Sequence, residues 1–432
     1  MPVRFTDVTE SFLDISGFQC LEGEWRWNCS PIFSPDGQHL VILSRDNTPS
    51  FMLHKRTGET SFSRLTNPTA PDKDYRPPAF SKNGQYLMAG FHSTQWPNVA
   101  MFLRDGDTYN HTSITMNDGG DNWGTQVRGL AISSDGTYMV HFYHWASPAL
   151  RLWKRDGTTW NLIAAGLQSY MAEAGQLAVY FTPDDEYAIS IMNGNYDSTG
   201  SDGVVFYKMS ANSWAQQTIQ QLHTGPYCPM CSAMSKDGTL IALGGWGGYT
   251  SESIWVPPRI QVYSRNGATL TRISECFLDL GLDSGEYPTR LAFSEDNQYI
   301  VATLYGSRHS PGTTGNLWLL KWDDFAGEYK EHEATYNRPG NRYAYYGLDI
   351  IPSNPVLGLT GNDYIVFTYQ DYDYEGCPPG FNLLTTLNPL VGISNLQAVE
   401  EEITHNEALI GWDADPAAEE YFIQYREVLP EE

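Results

Sequence analysis

Apolar and polar positions along this chain change over in short runs, and nowhere do they keep the 3.6-residue rhythm of a long helix. His39-Leu40-Val41-Ile42-Leu43, Tyr86-Leu87-Met88-Ala89, Tyr138-Met139-Val140 and Tyr299-Ile300-Val301 have the length and content of buried or half-buried strands. Each follows a tight-turn signal built on Asp-Gly, Asn-Gly or a relative, dipeptides that supply the positive φ of a hairpin. A second hairpin then follows. It is clearest in ALRLWKRDGTTWNLI (149–163), with relatives at 99–114, 204–219 and 260–273.

The turn phrase recurs. It reads Phe33-Ser34-Pro35-Asp36-Gly37, Phe80-Ser81-Lys82-Asn83-Gly84, Ile132-Ser133-Ser134-Asp135-Gly136, Phe181-Thr182-Pro183-Asp184-Asp185, Met234-Ser235-Lys236-Asp237-Gly238 and Phe293-Ser294-Glu295-Asp296-Asn297. A degenerate seventh copy is Ile351-Pro352-Ser353-Asn354, and the steps between copies run from 47 to 59 residues. Four strands per unit at such a period is the pattern of propeller blades. On these residues the chain resembles a seven-bladed β-propeller of the WD40/TolB-like type over residues 1–388. It lacks the Gly-His and Trp-Asp dipeptides of true WD40 repeats, and its units are longer. The expected fold class is all-β. In the last unit, strands are expected near 346–351, 364–369 and 381–384, and the segment 3–15 is expected to supply the outer strand and remove an exposed edge.

From Pro389 the texture changes. Leu396-Gln397-Ala398-Val399, Ala408-Leu409-Ile410-Gly411-Trp412-Asp413 and Tyr421-Phe422-Ile423-Gln424-Tyr425 resemble strands A, B and C of a fibronectin type III domain, so 389–432 is expected to be a partial sandwich. Three strands cannot complete two facing sheets; a truncated sequence or a completing partner is the expectation, ahead of packing on a neighbour.

Charge narrows the partners. A net charge of −25 opposes binding to polyphosphates and anionic lipid, so nucleic acid is not expected. No apolar run reaches the roughly 18 residues of a membrane span, and the opening MPVRFTDVTESF has no signal-peptide core. Six cysteines are too sparse for a disulfide framework. Cys228-Pro229-Met230-Cys231 has half the spacing of a zinc site without its other half, so loop cysteines, reduced or incidentally paired, are expected. No cofactor is expected.

Candidate chemistry lies in the long connections. In a propeller the short Asp-Gly hairpins mark one face, and the connections between second and third strands and between blades emerge on the other. That second face collects Trp96, Trp123, Tyr143, Trp145, Tyr196, Trp246, Tyr249, Trp255, Tyr305, Tyr343, Tyr372 and Tyr374 beside Asn, Asp and His. Rings that cover apolar faces, flanked by hydrogen-bonding groups, suit a sugar or a protein surface; the bland alternative is that each ring packs its own loop down. Asp371, Asp373 and Glu375 match the start of a calcium loop, but its twelfth position is Asn382 rather than a bidentate glutamate, so an acidic loop is the better expectation. RDGTTW (155–160) spaces its residues unlike a sialidase Asp-box, arginines are scarce in the loops, and no carboxylate pair is singled out for glycoside hydrolysis.

With fibronectin-like strands and no export signal, the chain is similar to structural proteins of tailed-phage virions. That resemblance implies a non-enzymatic tail, fibre or capsid-decoration component. It would be assembled in the host cytoplasm as part of a larger assembly and bind other virion proteins or a host-surface glycan or protein. A cytoplasmic or cell-surface interaction scaffold is the alternative, and a carbohydrate-active hydrolase ranks below both.

Overall fold

A computed structural model describes residues 5–7, 19–20, 29–44, 47–48, 51–58, 61–66, 74–92, 98–117, 126–144, 150–166, 176–192, 203–210, 212–217, 220–221, 228–246, 248–249, 255–277, 287–305, 317–336, 343–350, 364–371, 380–386, 394–398 and 410–413. Every element among the described residues is a strand, and the architecture is an all-β propeller.

Six blades are antiparallel meanders of four strands that belong to one repeat. Blade 1 comprises Cys29–Phe33, His39–Ser44, Phe51–Arg56 and Phe62–Arg64. Blade 2 comprises Asp74–Phe80, Tyr86–His92, Val99–Asp105 and Thr108–Thr112. Blade 3 comprises Gln126–Ile132, Tyr138–His144, Leu150–Asp156 and Thr159–Gly166. Blade 4 comprises Gln176–Phe181, Tyr187–Met192, Gly203–Ser210 and Ser213–Gln216. Blade 5 comprises Cys228–Met234, Leu240–Trp246, Arg259–Asn266 and Thr269–Phe277. Blade 6 comprises Tyr287–Phe293, Tyr299–Tyr305, Leu317–Asp323 and Glu328–Tyr336.

Seven equivalent units are expected from the sequence, and here the structure differs. The degenerate copy at 351–354, without Asp-Gly, lies outside the described residues. Its repeat contributes three strands, Tyr343–Ile350, Tyr364–Asp371 and Gly380–Thr386. The outer edge of that sheet is taken by Phe5–Asp7, which pairs antiparallel with Leu384–Thr386. Asp349 on its first strand accepts a hydrogen bond from the Phe33 backbone N–H of blade 1 at 2.8 Å.

The core is divided among the spaces between blades. Leu43, Phe51 and Leu53 of blade 1 meet Leu87, Phe91 and Phe102 of blade 2, and Val205 and Tyr207 of blade 4 meet Val140, Phe142 and Leu152 of blade 3. Trp153 and Trp160 are fully buried between blades 2 and 3. Both faces of each middle strand are therefore buried, which explains why second strands read as continuous apolar runs.

The recurrent phrase has a shared chemistry. In blade 1 the Ser34 hydroxyl donates to Asp36 Oδ1, which also accepts the Gln38 N–H, while the His39 N–H donates to Ser34 Oγ. The same arrangement occurs with Ser81 and Asn83, Ser133 and Asp135, Thr182 and Asp184, Ser235 and Asp237, and Ser294 and Asp296. Burial raises these carboxyls, but the hydroxyl and backbone donors outweigh it and hold Asp36, Asp135, Asp184 and Asp237 below the usual carboxylate range. The turn's last residue has positive φ: Gly37, Gly84, Gly136 and Gly238 in four blades, Asp185 and Asn297 in the other two.

Those two exceptions have a use. Asp185 accepts from the Ser134 N–H and hydroxyl of blade 3, and Asn297 donates to Asp237 of blade 5. A side chain that tolerates the left-handed region replaces glycine where it can tie two blades together. Further ties join Arg104 Nη1 to Asp36 Oδ2 at 2.6 Å, Lys55 to Asp107, Lys236 to Glu295, and Lys82 Nζ to the Pro183 carbonyl. Arg104→Ala removes a charge-assisted bond between blades 1 and 2 and is expected to cost about 1.5–3 kcal/mol, read by urea denaturation.

Cys228 and Cys231 are not loop residues. They lie on the first strand of blade 5 with a register shift between Pro229 and Cys231. Cys231 is a free, buried thiol that burial pushes up to about 12, so it packs as an apolar group rather than reacting as a thiolate.

Candidate functional site

The two faces differ in how their polar groups are used. On the hairpin face the Ser-Asp turns satisfy one another's donors and acceptors within and between blades. Beyond them, Arg104 donates to the Gly106 carbonyl, Arg155 to Gly136, and Arg265 to Gly238 and Gly267. His39 is buried among Asp107, Arg104 and the Tyr109 ring, and burial lowers it to about 4, so it stays neutral at physiological pH. The arginines are committed to holding turns, whereas both ring nitrogens of His39 are without a hydrogen-bond partner among the described residues.

The opposite face begins where the second strands end. Tyr143, Trp246 and Tyr305 lie at or next to the last residue of the second strands of blades 3, 5 and 6, and Tyr343 begins the strand Tyr343–Ile350. All four positions are remote from the Ser-Asp turns. Tyr249 and Trp255 are register partners in a two-stranded ribbon between the second and third strands of blade 5. The structure thus brings Trp246, Tyr249 and Trp255 to one connection of one blade. Trp96, Trp123, Trp145, Tyr196, Tyr372 and Tyr374 lie outside the described residues. So do Asp373 and Glu375, whereas Asp371 is the last residue of a strand. Among the described residues no group of three or more His, Cys, Asp or Glu is placed to hold a metal ion. No helix among them is long and apolar enough to cross a membrane.

One charged position escaped the loop-centred expectation. Arg290 lies on the first strand of blade 6, exposed between the buried Thr289 and Leu291. Its position three residues before the Phe293 anchor is the signal that could find it, because the matching residues elsewhere are the uncharged Ser30, Pro77, Gly129, Ala178, Cys231 and Gly347.

Of the C-terminal segment the described residues form one pair of strands. Ser394–Ala398 pairs antiparallel with Ile410–Asp413, while the strand expected at 421–425 lies outside the described residues.

No family model matches the chain, and no curated protein matches it. Among solved structures, the chain is similar to the beta-propeller domain of Cps50 (Swd1) from Myceliophteria thermophila, with a TM-score of 0.53 at 11% identity, covering 85% of this chain and 98% of that one. It is also similar to the hydrazine synthase of Kuenenia stuttgartiensis, with a TM-score of 0.56 at 12% identity, covering 87% of this chain and 99% of that one. At such identities the likeness carries the fold alone.

Proposed function

We propose that this chain is a non-enzymatic binding protein that docks a partner through the face of long connections. The supporting observation is asymmetry: one face is made of short hairpins whose polar groups are consumed in ties, and the strand-end aromatics Tyr143, Trp246, Tyr305 and Tyr343 sit at the other. Rings at loop bases give large contact area at little entropic cost, the property shared by glycan-binding and protein-binding surfaces.

The finer architecture in this proposal is a ring of seven, its last unit composite. Support comes from the strand Tyr343–Ile350, which lies against the first strands of both blade 6 and blade 1, and from the Phe5–Asp7 pairing that ties the chain's early segment to its late one. Residues 389–432 are taken as a partial fibronectin-like module. The setting proposed is the virion of a tailed phage, on the chain's texture of propeller repeats, fibronectin-like strands and strong acidity.

Replacing Trp246, Tyr249 and Trp255 together by alanine is expected to lower binding to a host-surface glycan or neighbouring virion subunit at least tenfold while leaving the unfolding midpoint within a few degrees. A glycan array read alongside assays for released sugar tests this. Retained ligand without turnover agrees with the proposal; turnover of a released sugar contradicts it.

A further inference from the structure

The first strands share a register irregularity with one unusual occupant. In blades 3 to 6 and in the strand Tyr343–Ile350, pairing with the second strand shifts once. The residue that resumes the register is Gly129, Ala178, Cys231, Arg290 or Gly347. Four of these five have a small side chain or none. Of these five residues only Arg290 carries a charge; blade 2 shifts likewise, between Tyr75 and Pro78. First strands of neighbouring blades lie against one another, and the small residues let them do so: a Cβ on Gly129 would already touch Val179 at 3.5 Å, and Cys231 is buried in the core.

The surroundings of Arg290 are inconsistent with a purely structural arginine. Among the described residues its one hydrogen bond runs from Nη1 to the carbonyl of the adjacent Thr289 at 2.9 Å. No ion pair joins it to a carboxylate among the described residues, although the chain has 51 acidic residues against 26 basic ones. The ionisable groups nearest in effect are Cys231 of blade 5 and Tyr180 of blade 4, both pushed up to about 12 and hence neutral. Arg290 is exposed, yet protein around it desolvates the guanidinium and lowers it from its usual value. Solvent access together with protein on most sides describes a recess. With Nη1 held by Thr289, the edge formed by Nε and Nη2 has no partner among the described residues, and that edge matches the two oxygens of a carboxylate. The Tyr180 hydroxyl, now directed at the Ser232 carbonyl and hydroxyl at 3.0 Å, lies on the same group of inner strands.

We propose that Arg290 is the anchor of a carboxylate-binding site on the inner strands of blades 4 to 6, taking a monoanion side-on through Nε and Nη2. A monoanion fits better than a phosphate dianion. One guanidinium neutralises one charge, no second cation accompanies it among the described groups named above, and the acidity of the chain opposes a second negative charge. The carboxylate belongs to a free small molecule or to an acidic segment of a partner, sources that the experiment separates.

The full chain is treated with phenylglyoxal, which modifies accessible guanidinium groups, and Arg290 modification is quantified by peptide mapping. The comparisons are sodium acetate, sodium chloride at equal ionic strength, and a hexaglutamate peptide. Acetate is expected to slow modification of Arg290 at least threefold beyond chloride, with no such difference at the exposed Arg272. Protection by hexaglutamate but not acetate keeps the site and assigns the carboxylate to a partner chain. Equal modification of Arg290 in all conditions overturns the proposal. In parallel, the saturation-transfer NMR signal of the acetate methyl group is expected to weaken at least threefold in Arg290→Gln and to be only partly retained in Arg290→Lys, which keeps the charge without the fork. An identical signal in the wild type and Arg290→Gln also overturns it.

Discussion

Gly136→Ala and Gly238→Ala are expected to destabilise the propeller by about 2–5 kcal/mol each, while the same change at Gly157 costs about 1 kcal/mol. All three glycines have positive φ, near 75°, 70° and 60° respectively, so the backbone penalty is shared. What differs is the neighbour. A Cβ on Gly136 would stand 2.3 Å from Tyr86 of blade 2, and one on Gly238 would stand 2.3 Å from the Pro183 ring of blade 4. Neither neighbour can retreat cheaply: the Tyr86 ring lies under the Arg155 guanidinium at 4.4 Å, and Pro183 is locked by its own ring. Gly157 sits at the outer hairpin of blade 3 with nothing within 4 Å of the added methyl. Chemical denaturation of the three variants separates the contributions. Equal losses at all three would mean that the inner turns do not stack blade on blade.

The second large effect is one of pH. Burial raises the Asp349 carboxyl to about 7, against the lowering influence of the Phe33 and Ile350 N–H groups. Between about pH 4, where an unfolded aspartate titrates, and pH 7, the folded chain holds a proton that the unfolded chain has released. That contribution to stability is complete below pH 4 and is lost as pH rises through 7. Asp349→Asn cannot ionise, and its amide oxygen can still accept the Phe33 N–H. The variant is therefore expected to exceed the wild type by roughly 1–4 kcal/mol at pH 8 and to match it near pH 4. The turn carboxylates act oppositely: Asp36, Asp135, Asp184 and Asp237 are held low, so their support is present above pH 4 and fades below it. Urea midpoints of both proteins from pH 3 to pH 9 check the two limbs. A difference that does not change with pH would remove Asp349 as the titrating group.

Much of this architecture is legible along the chain because its determinants are local. The Ser-to-Asp hydrogen bond spans two residues, the Asp-Gly turn sets its own φ, and the apolar run after it is buried because its blade has neighbours on both sides. Asp184-Asp185 and Asp296-Asn297 lack the turn glycine, yet the second residue of each enters the left-handed region and bonds to the preceding blade. The ties themselves were hidden, since Asp185 reaches Ser134 51 residues away and Arg104 reaches Asp36 at a separation of 68. No local pattern encodes a partner one repeat distant. The cysteine pair misled for a related reason: a register shift at Pro229 keeps the run a strand where Pro reads as a loop. On the candidate face, the sequence located the aromatics in the connections but left open which of them converge. The pairing of Tyr249 with Trp255 needed the ribbon to form. Arg290 lies on an inner strand, outside the connections to which the aromatic pattern points.

Docking through the long-connection face, in the virion setting proposed above, is tested most directly by quantitative mass spectrometry of this chain in purified virions of a tailed phage carrying its gene. Three forms are compared: the wild type, the Trp246, Tyr249 and Trp255 triple alanine variant, and Phe325→Ala. Phe325 is a fully exposed ring on an outer hairpin of the opposite face, so its removal leaves the docking surface intact. Wild type and Phe325→Ala are expected at equal copy number, with the triple variant depleted at least tenfold. Absence of the wild-type chain, or depletion of Phe325→Ala with the triple variant retained, would contradict it.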